Sequence, residues 1–341
     1  GAFIMVLGLV GTEFMLRLMD TPEDTIAGSA LYLRIMFMGM VPNMVYNVGS
    51  AILRAMGDSK RPLYFLIVAC LSNVVLDLVL VLVFKMGIAG VAIASILAQA
   101  ISAVMVVMSL SAESMEYRFR FRQMRFEGDI LSRTIRICLP AGFQSIMYSL
   151  SNMLIQASVN RFGTDTVASW VVLGKVDGIN WMILGALGIA SMTFVGQNYG
   201  AGRLDRVKKG TWVTLAVGVV YTLITGTLLL LGQDAIMHLF TNDETVVFFG
   251  EAAMHWFCPF YFLLSILHGL AGAVRGTGAS IPPMVVLLVS LCLFRIVWIQ
   301  WVLPLFSGIE GVFILYPVSW ALGAGLMILY AWKGKWMEYH A

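Results

Sequence analysis

Charged side chains are scarce in this sequence. Only 12% of its 341 residues are charged and 60% are hydrophobic, whereas about 25% of a soluble domain is charged. The mean hydropathy is +0.87, which excludes an ordinary soluble domain. The apolar runs reach about 20 residues, the length that crosses a bilayer. They do not alternate strictly between apolar and polar residues, which excludes a membrane β-barrel, so we expect an all-α polytopic membrane protein.

Motifs for catalysis, metal binding and nucleotide binding are missing as well. The four cysteines mostly lie in apolar runs without metal-ligand spacing, so we expect free thiols and no disulfide. The glycine-rich turn at 196–202 has no preceding strand and no following Lys-Ser/Thr pair, unlike a phosphate-binding loop. No cleavable signal peptide is visible. We therefore expect no enzyme, no cofactor and no nucleic-acid partner.

Ten apolar runs predict ten membrane spans. They cover residues 1–19, 29–53, 62–84, 88–110, 139–161, 166–194, 211–231, 246–274, 283–304 and 311–332. Most of the 22 Lys and Arg residues fall in alternate connections and in the C-terminal tail, whereas the other connections carry only Lys85 and Arg161. The positive-inside rule then predicts a plasma-membrane protein whose basic loops and C-terminus lie in the cytoplasm.

One connection, segment 111–138, is long and rich in arginine. It contains Arg118, Arg120, Arg122, Arg125, Arg133 and Arg136. We interpret it as a cytoplasmic linker with an amphipathic helix at the lipid headgroups, and a specific binding site is the alternative. It separates a first lobe, residues 1–110, from a second lobe, residues 139–332, and residues 333–341 form a tail.

A short turn occurs twice in the chain. Arg54–Pro62 recurs as Arg275–Pro283, an offset of 221 residues (275 minus 54). Further identities at this offset, without a gap, are Leu18 with Leu239, Glu23 with Glu244, Gly87 with Gly308, Gly90 with Gly311 and Ala103 with Ala324. Two copies of one structural unit explain these matches.

The repeat also predicts the number of spans in the intact protein. Spans one to four match spans seven to ten, so we expect two further spans before Gly1 and about ten of twelve in this chain. Two six-helix lobes would be related by an axis along the membrane normal.

Three stretches of sequence carry a family resemblance in combination. They are Arg54-Ala-Met-Gly57 with Pro62 and Asn73, then Gly87–Ser95, and then Phe194–Gly202 with the basic run after it. Together they resemble the multidrug and toxic compound extrusion (MATE) transporters over essentially the whole chain. The resemblance implies two pseudo-symmetric six-helix lobes around a central cavity, the first lobe lacking its first two helices here. It also implies export of amphipathic, often cationic compounds in exchange for Na⁺ or H⁺.

Asp77 is the leading candidate for cation coupling, because an ionisable side chain inside a membrane span is costly. Asn73 precedes it by four residues, so both side chains share one helix face. A carboxylate and an amide oxygen at this spacing suit Na⁺, or a carboxylate that exchanges a proton. The resemblance implies the same Asn-x-x-x-Asp pair as a first-lobe cation site and adds the hydroxyl of Ser95. A structural ion pair of Asp77, for instance with Lys175, is the alternative.

Polar residues of the fifth and sixth spans are candidates for the substrate cavity. They are Gln144, Asn152 and Gln156 on the fifth span and Lys175, Asp177 and Asn180 on the sixth. Polar contacts between helices are the alternative for both groups. Arg295 is expected to pair with a carbonyl or a carboxylate, and His255 and His268 to pack or line the cavity rather than relay protons.

The sequence therefore favours a secondary antiporter that exports drugs or toxic compounds by alternating access between two lobes. A flippase, or an exporter of a lipid-linked or other endogenous metabolite, is the alternative. A membrane enzyme would need paired catalytic groups and a channel would need a continuous polar path, and neither pattern is found. We expect a monomer whose partners are amphipathic small molecules and membrane lipid.

Overall fold

The computed structural model describes residues 1–18, 23–112, 120, 125, 127–333 and 336–337. They fall into two compact units, Gly1–Arg125 (unit 1) and Phe126–Ala341 (unit 2). The described residues form helices and no strand, which confirms the predicted all-α class. Most of the arginine-rich part of segment 111–138, the loop residues 19–22 and most of the predicted tail lie outside the described residues.

Unit 1 consists of helices joined by short turns. In its described part these are α1 (Ala2–Leu18), α2 (Glu23–Met38), α3 (Met40–Ala55), α4 (Lys60–Leu78) and α5 (Gly87–Ser111). A π-helical turn, Val79–Val83, continues α4. Helix α5 packs against α2, α3 and α4, so it is the central helix of the unit.

Unit 2 is built around one buried helix. Its described helices are α6 (Gly128–Val159), α7 (Thr164–Gly200), α8 (Leu204–Leu231), α9 (Gln233–His238), α10 (Glu244–Phe257), α11 (Tyr261–Gly276), α12 (Ile281–Leu288), α13 (Phe294–Val297) and α14 (Glu310–Lys333). Two π-helical turns, Val289–Leu293 and Trp298–Val302, flank α13. Helix α11 packs against α7, α8 and α14 and is apolar on nearly all sides, which is typical of a fully buried helix.

The described part of the chain has seven helical segments that are long and apolar enough to cross a membrane. There are eight if the bent pair α2–α3 forms one span. The chain is thus a multi-pass membrane protein, while the count of ten spans stays a prediction. Helix α1, with 17 residues, and helix α6 coincide with predicted spans but fall outside this set. Residues 128–138, which the sequence assigns to the linker, are the first turns of α6.

Four prolines lie inside or at the start of predicted spans, and two of them are found at helix breaks. Helices α2 and α3 meet at Gly39 with a bend of 43°, and Pro42 is just beyond it. Proline removes a backbone donor and clashes with the carbonyl group four residues earlier, which favours the break. Pro259 lies in the 3₁₀ turn between α10 and α11, whereas Pro140 and Pro317 lie inside the continuous helices α6 and α14.

The helix boundaries follow the sequence repeat. Helix α4 begins at Lys60 and helix α12 at Ile281, an offset of 221 residues (281 minus 60). The turn before each helix contains a glycine with positive φ, 91° at Gly57 and 88° at Gly278. Glycine adopts this backbone readily because it lacks a Cβ atom. The matched glycines therefore mark the same turn in two copies of one structural unit.

Helices α7 and α11 approach each other closely at glycines. A Cβ atom added to Gly272 would clash with the carbonyl oxygen of Gly188, and one added to Gly276 would lie 2.7 Å from the carbonyl oxygen of Met192. Small residues allow membrane helices to pack at short distance. This packing holds α7, the helix that carries Asp177, against the central helix of unit 2.

Replacing Gly272 by Ala is expected to lower the melting temperature of the purified protein, because α7 and α11 must separate to make room. Overpacking of this kind typically costs about 1–3 kcal/mol. The matched control is Gly185→Ala on α7, where an added Cβ atom meets no other group within 4 Å. Equal melting temperatures for the two variants would show that the contact between α7 and α11 tolerates a methyl group at position 272 without loss of stability.

Candidate functional site

Unit 1 contains a polar cavity between α3, α4 and α5. Its volume is about 400 Å³, and the predicted residues Asn73 and Ser95 line it. Further polar lining residues are Asn43, Tyr46, Asn47, Gln99 and Ser102. Sequence reasoning does not single out these five, although Ser95, Gln99 and Ser102 follow a spacing of four and three residues. That spacing places the three on one face of α5.

Asp58, in the turn before α4, caps the start of this helix. The Asp58 Oδ1 atom accepts hydrogen bonds from the backbone N–H groups of Lys60 and Arg61, both at 3.1 Å. These donors have no partner within the helix, so the carboxylate stabilises the first turn. Asn73, further along α4, lines the cavity.

Asn73 and Asp77 both carry buried polar atoms without partners. The Asn73 Nδ2 and Asp77 Oδ1 atoms have no hydrogen-bond partner among the described residues. Asp77 is not part of the cavity lining and lies one helical turn beyond Asn73, just before the π-helical turn Val79–Val83. A buried polar atom without a partner is costly and calls for an explanation.

The oxygen atoms of this site suit a small monovalent cation or a proton. The amide of Asn73 and the hydroxyl of Ser95 line one cavity, and the carboxylate of Asp77 is on the same face of α4 as Asn73. Hard cations prefer oxygen ligands of this kind. Within the described residues, no group of three or more His, Cys, Asp or Glu side chains is arranged to hold a metal ion.

Unit 2 contains a smaller cavity with aromatic walls. Its volume is about 200 Å³, and the predicted residues Asn152, Gln156 and Asp177 line it. The aromatic lining residues are Tyr148, Trp170, Trp181, Phe257 and Tyr316. A carboxylate beside aromatic rings favours a cationic group, because the ring faces carry negative electrostatic potential.

The aromatic walls are packed against one another. The ring centroids of Phe257 and Tyr316 are 4.9 Å apart, those of Trp170 and Tyr316 are 5.7 Å apart, and those of Tyr148 and Trp181 are 5.8 Å apart. These distances fall in the favourable range for aromatic pairs. The cavity is therefore formed by rings that support each other, not by isolated side chains.

Asp177 is anchored by a residue that sequence reasoning does not single out. The Tyr261 hydroxyl at the start of α11 donates a hydrogen bond to Asp177 Oδ1. This bond joins the helix that carries the carboxylate to the central helix of the unit. The two residues are 84 positions apart, so no local pattern in the sequence could have indicated the pair.

Arg295 is a fully buried cation in unit 2. Its side chain has 0% exposure, its Nε atom donates to Ser319 Oγ at 3.2 Å, and its guanidinium carbon lies 4.6 Å from the ring centroid of Tyr316. The expected carbonyl or carboxylate partner is thus replaced by a hydroxyl group and an aromatic face. Its Nη1 and Nη2 atoms have no hydrogen-bond partner among the described residues. Since Tyr316 also lines the aromatic cavity, Arg295 lies directly behind one of its walls.

Three predicted cavity residues lie outside this cavity. Asn180 is buried and accepts a hydrogen bond from the Tyr221 hydroxyl at 3.1 Å, which ties α7 to α8. Gln144 accepts a hydrogen bond from Arg275 Nη2 at 2.5 Å, which ties α6 to α11. Both residues join helices, the alternative that the sequence left open.

Lys175 is the third of these residues. It is two positions from Asp177, so the helical turn directs the two side chains to different faces of α7. The Lys175 Nζ atom lies 5.8 Å from the ring centroid of Phe240. A cation at this distance from an aromatic face is attracted by the ring.

The two histidines of the predicted eighth span make local contacts. The His268 ring packs edge-on against Trp181 at a centroid distance of 5.5 Å. The Nδ1 atom of His255 lies 2.8 Å from the carbonyl oxygen of Glu251, one turn earlier in α10. These contacts agree with packing and suggest no relay between the two rings.

Comparison with known proteins gives close matches in sequence. The probable multidrug resistance protein YpnP of Bacillus subtilis is 30% identical over 332 residues, which is 96% of this chain and 73% of that protein. A FAD transporter of Shewanella oneidensis is 23% identical over 337 residues, which is 93% of this chain and 71% of that protein. The chain thus spans about three quarters of the length of these relatives.

Solved structures share the fold. A crystal structure of the Vibrio cholerae MATE transporter VcmN in the bent form matches with a TM-score of 0.89 and 20% identity, over 97% of this chain and 75% of that one. A crystal structure of MATE in the bent conformation also gives a TM-score of 0.89, with 18% identity over 97% and 74% of the two chains. The MatE family model matches residues 1–79 and 140–300, more than half of the sequence. Together with the identity to YpnP, this match shows that the chain belongs to the MatE family of membrane transporters.

Proposed function

We propose that the protein is a secondary antiporter that exports amphipathic, often cationic compounds in exchange for Na⁺ or H⁺. The observation that carries this proposal is the buried Oδ1 atom of Asp77, which has no hydrogen-bond partner among the described residues. A carboxylate in a membrane span is costly unless an ion or a proton balances its charge. Binding and release of that cation would favour different conformations of the protein, as alternating access requires.

The coupling site would combine Asp77 with the neutral oxygens of Asn73 and Ser95. In this arrangement the carboxylate supplies the charge, and the amide and hydroxyl groups replace part of the hydration shell of Na⁺. If the coupling ion is H⁺, the carboxyl group takes up the proton and the neutral groups accept or donate hydrogen bonds to it. Both versions place the coupling chemistry in unit 1.

The substrate class is inferred from the relatives and from unit 2. YpnP is named a probable multidrug resistance protein. The aromatic cavity with Asp177 on its wall has the chemistry that attracts organic cations. We place the protein in the plasma membrane as a monomer, with membrane lipid as its surroundings and the C-terminus in the cytoplasm, as the distribution of basic residues predicts.

Dye efflux from reconstituted vesicles tests this function. Vesicles loaded with ethidium are given an inward gradient of Na⁺, of H⁺ or, as a control, of K⁺ at equal ionic strength. We expect efflux to accelerate with the Na⁺ or the H⁺ gradient compared with protein-free vesicles, and not with K⁺. An absence of dye or drug movement under both coupling gradients would overturn the exporter function.

An exporter of an endogenous metabolite is the second candidate. One relative is named a FAD transporter, and FAD carries negative charge. In unit 2 the buried guanidinium of Arg295 has two nitrogen atoms without partners among the described residues, and such a group pairs well with phosphate or carboxylate. Gradient-driven efflux of an anionic nucleotide, without efflux of cationic dyes, would favour this candidate over drug export. A lipid-linked precursor would instead be tested by a flippase assay in the same vesicles.

A further inference from the structure

Unit 2 has an apolar groove at one end of its helices. The groove lies between α8, α11 and α14 and has a volume of about 620 Å³, within the range of roughly 300–1,000 Å³ that is typical of ligand pockets. All of its lining residues are apolar except Lys208 and Thr211. The Thr211 hydroxyl donates to the Val207 carbonyl at 2.8 Å, so it is satisfied within its own helix.

Tryptophans surround this groove at the level where the helices end. Trp212 and Trp332 are 73% and 81% exposed, while Trp336 is 7% exposed and donates its Nε1–H to the Ala331 carbonyl at 3.0 Å. Helix α8 begins near the groove, and α11 and α14 end near it. Tryptophan is enriched where hydrocarbon meets the lipid headgroups. This position favours a groove at the headgroup boundary of the bilayer.

The described charged residues at the start of α8, beside the groove, are mostly basic. Lys208 lines the groove, and its side chain has no ion pair or hydrogen bond with any described residue. Arg206 and Lys209 are its neighbours in the first turns of α8. The nearby carboxylate of Asp205 is already paired with Arg203, at an N–O distance of 3.1 Å. Among the described residues, a negatively charged headgroup would therefore meet positive charge that no carboxylate pairs with.

We propose that this groove binds an acyl chain of an anionic glycerophospholipid from the surrounding bilayer, with the lipid phosphate at Lys208. The apolar walls favour the chain because filling the groove removes apolar surface from water. The lysine and its basic neighbours favour an anionic headgroup over a zwitterionic one. This site is separate from Asp77 and from the aromatic cavity, so it does not depend on which compound is exported.

Native mass spectrometry of the purified, delipidated chain tests the headgroup preference. The chain is titrated with phosphatidylglycerol or with phosphatidylcholine of the same acyl chains. The affinity of the most tightly bound lipid molecule is then compared between the two titrations. We expect the wild type to prefer phosphatidylglycerol and Lys208→Gln to lose about fivefold of that preference, since a lysine near a headgroup contributes about that factor. The matched control is Lys209→Gln, which removes the same charge from a residue outside the groove lining and should keep most of the preference.

A second pair of variants tests the groove itself. Ala216 lines it on α8, whereas its neighbour Val217 does not and is 52% exposed. We expect Ala216→Phe to abolish the tight binding of both lipids and Val217→Phe to retain it, with similar melting temperatures.

The proposal is overturned if the wild type shows no preference for phosphatidylglycerol or if Lys208→Gln and Lys209→Gln lose it equally. It is also overturned if Ala216→Phe binds lipid as the wild type does, or converts a dimer to a monomer, because a second copy would then occupy the groove. Should Ala216→Phe not fold, the lysine pair decides alone.

Discussion

Replacing Asp77 by Asn is expected to reduce gradient-driven efflux to the level of protein-free vesicles. The two side chains have nearly the same size and shape, so α4 and its packing against α5 should be preserved. The amide cannot take up a proton at neutral pH and supplies no negative charge for Na⁺. A loss of at least about tenfold, roughly 1.4 kcal/mol, is the smallest effect that fits a coupling role.

The measurement uses ethidium-loaded vesicles under the gradient that drives the wild type. Asp58→Asn is the matched control, because it makes the same chemical change at the start of the same helix. Asn is as good as Asp at capping a helix, so this variant should retain both its fold and its efflux. Comparable melting temperatures for the two variants establish that any loss at position 77 is not a loss of folding. Efflux that is unchanged in Asp77→Asn would rule out this carboxylate as the coupling group.

Replacing Asp177 by Asn is expected to raise the KM for cationic substrates about tenfold or more, with little change for neutral ones. The carboxylate is on the wall of the aromatic cavity, and charge-assisted contacts at such sites contribute about 1.5–3 kcal/mol. The buried guanidinium of Arg295 lies behind Tyr316, so its positive charge remains next to the cavity once the carboxylate is neutral. Both effects disfavour a cation in the cavity.

Two further variants separate the charge from the hydrogen bond at this site. Tyr261→Phe removes the donor to Asp177 but keeps the negative charge, so it should retain the preference for cations. Asp165→Asn changes an exposed carboxylate in the first turn of the same helix and should change neither KM. The measurement is the initial efflux rate against concentration for a cationic dye and a neutral compound. If Asp177→Asn alters the KM for both compounds equally, the carboxylate acts on the structure of the cavity and not on substrate charge.

The fold could be predicted from the sequence because its determinants are local or repeated. Apolar runs mark the helices, and the turns at Gly57 and Gly278 share a backbone conformation that glycine readily adopts. Asn73 and Ser95, which both line the unit 1 cavity, follow from helical spacing and the family resemblance. Composition does not fix the number of membrane spans, since α1 and α6 coincide with predicted spans but fall outside the set that is long and apolar enough.

The arrangement inside unit 2 could not be predicted in the same way. Whether a polar residue lines a cavity or joins two helices depends on the neighbouring helix. Asn180 and Gln144 join helices through Tyr221 and Arg275, which are far from them in sequence. The role of Arg295 as a buried cation behind an aromatic wall likewise depends on packing that periodicity does not encode.

The π-helical turns change which residues of the two copies correspond in space. By number, Asn73 aligns with Phe294 (73 plus 221), but the turn Val289–Leu293 interrupts the second helix before that point, and its counterpart in α4 is regular. A turn closed by i→i+5 bonds holds one residue more than an α-helical turn, so later side chains shift by one position around the axis. By this count we expect Arg295, and not Phe294, to correspond to Asn73 of the first copy. The second copy therefore carries a buried positive charge, Arg295, as part of its own chain, whereas the corresponding stretch of α4 carries the neutral amide of Asn73.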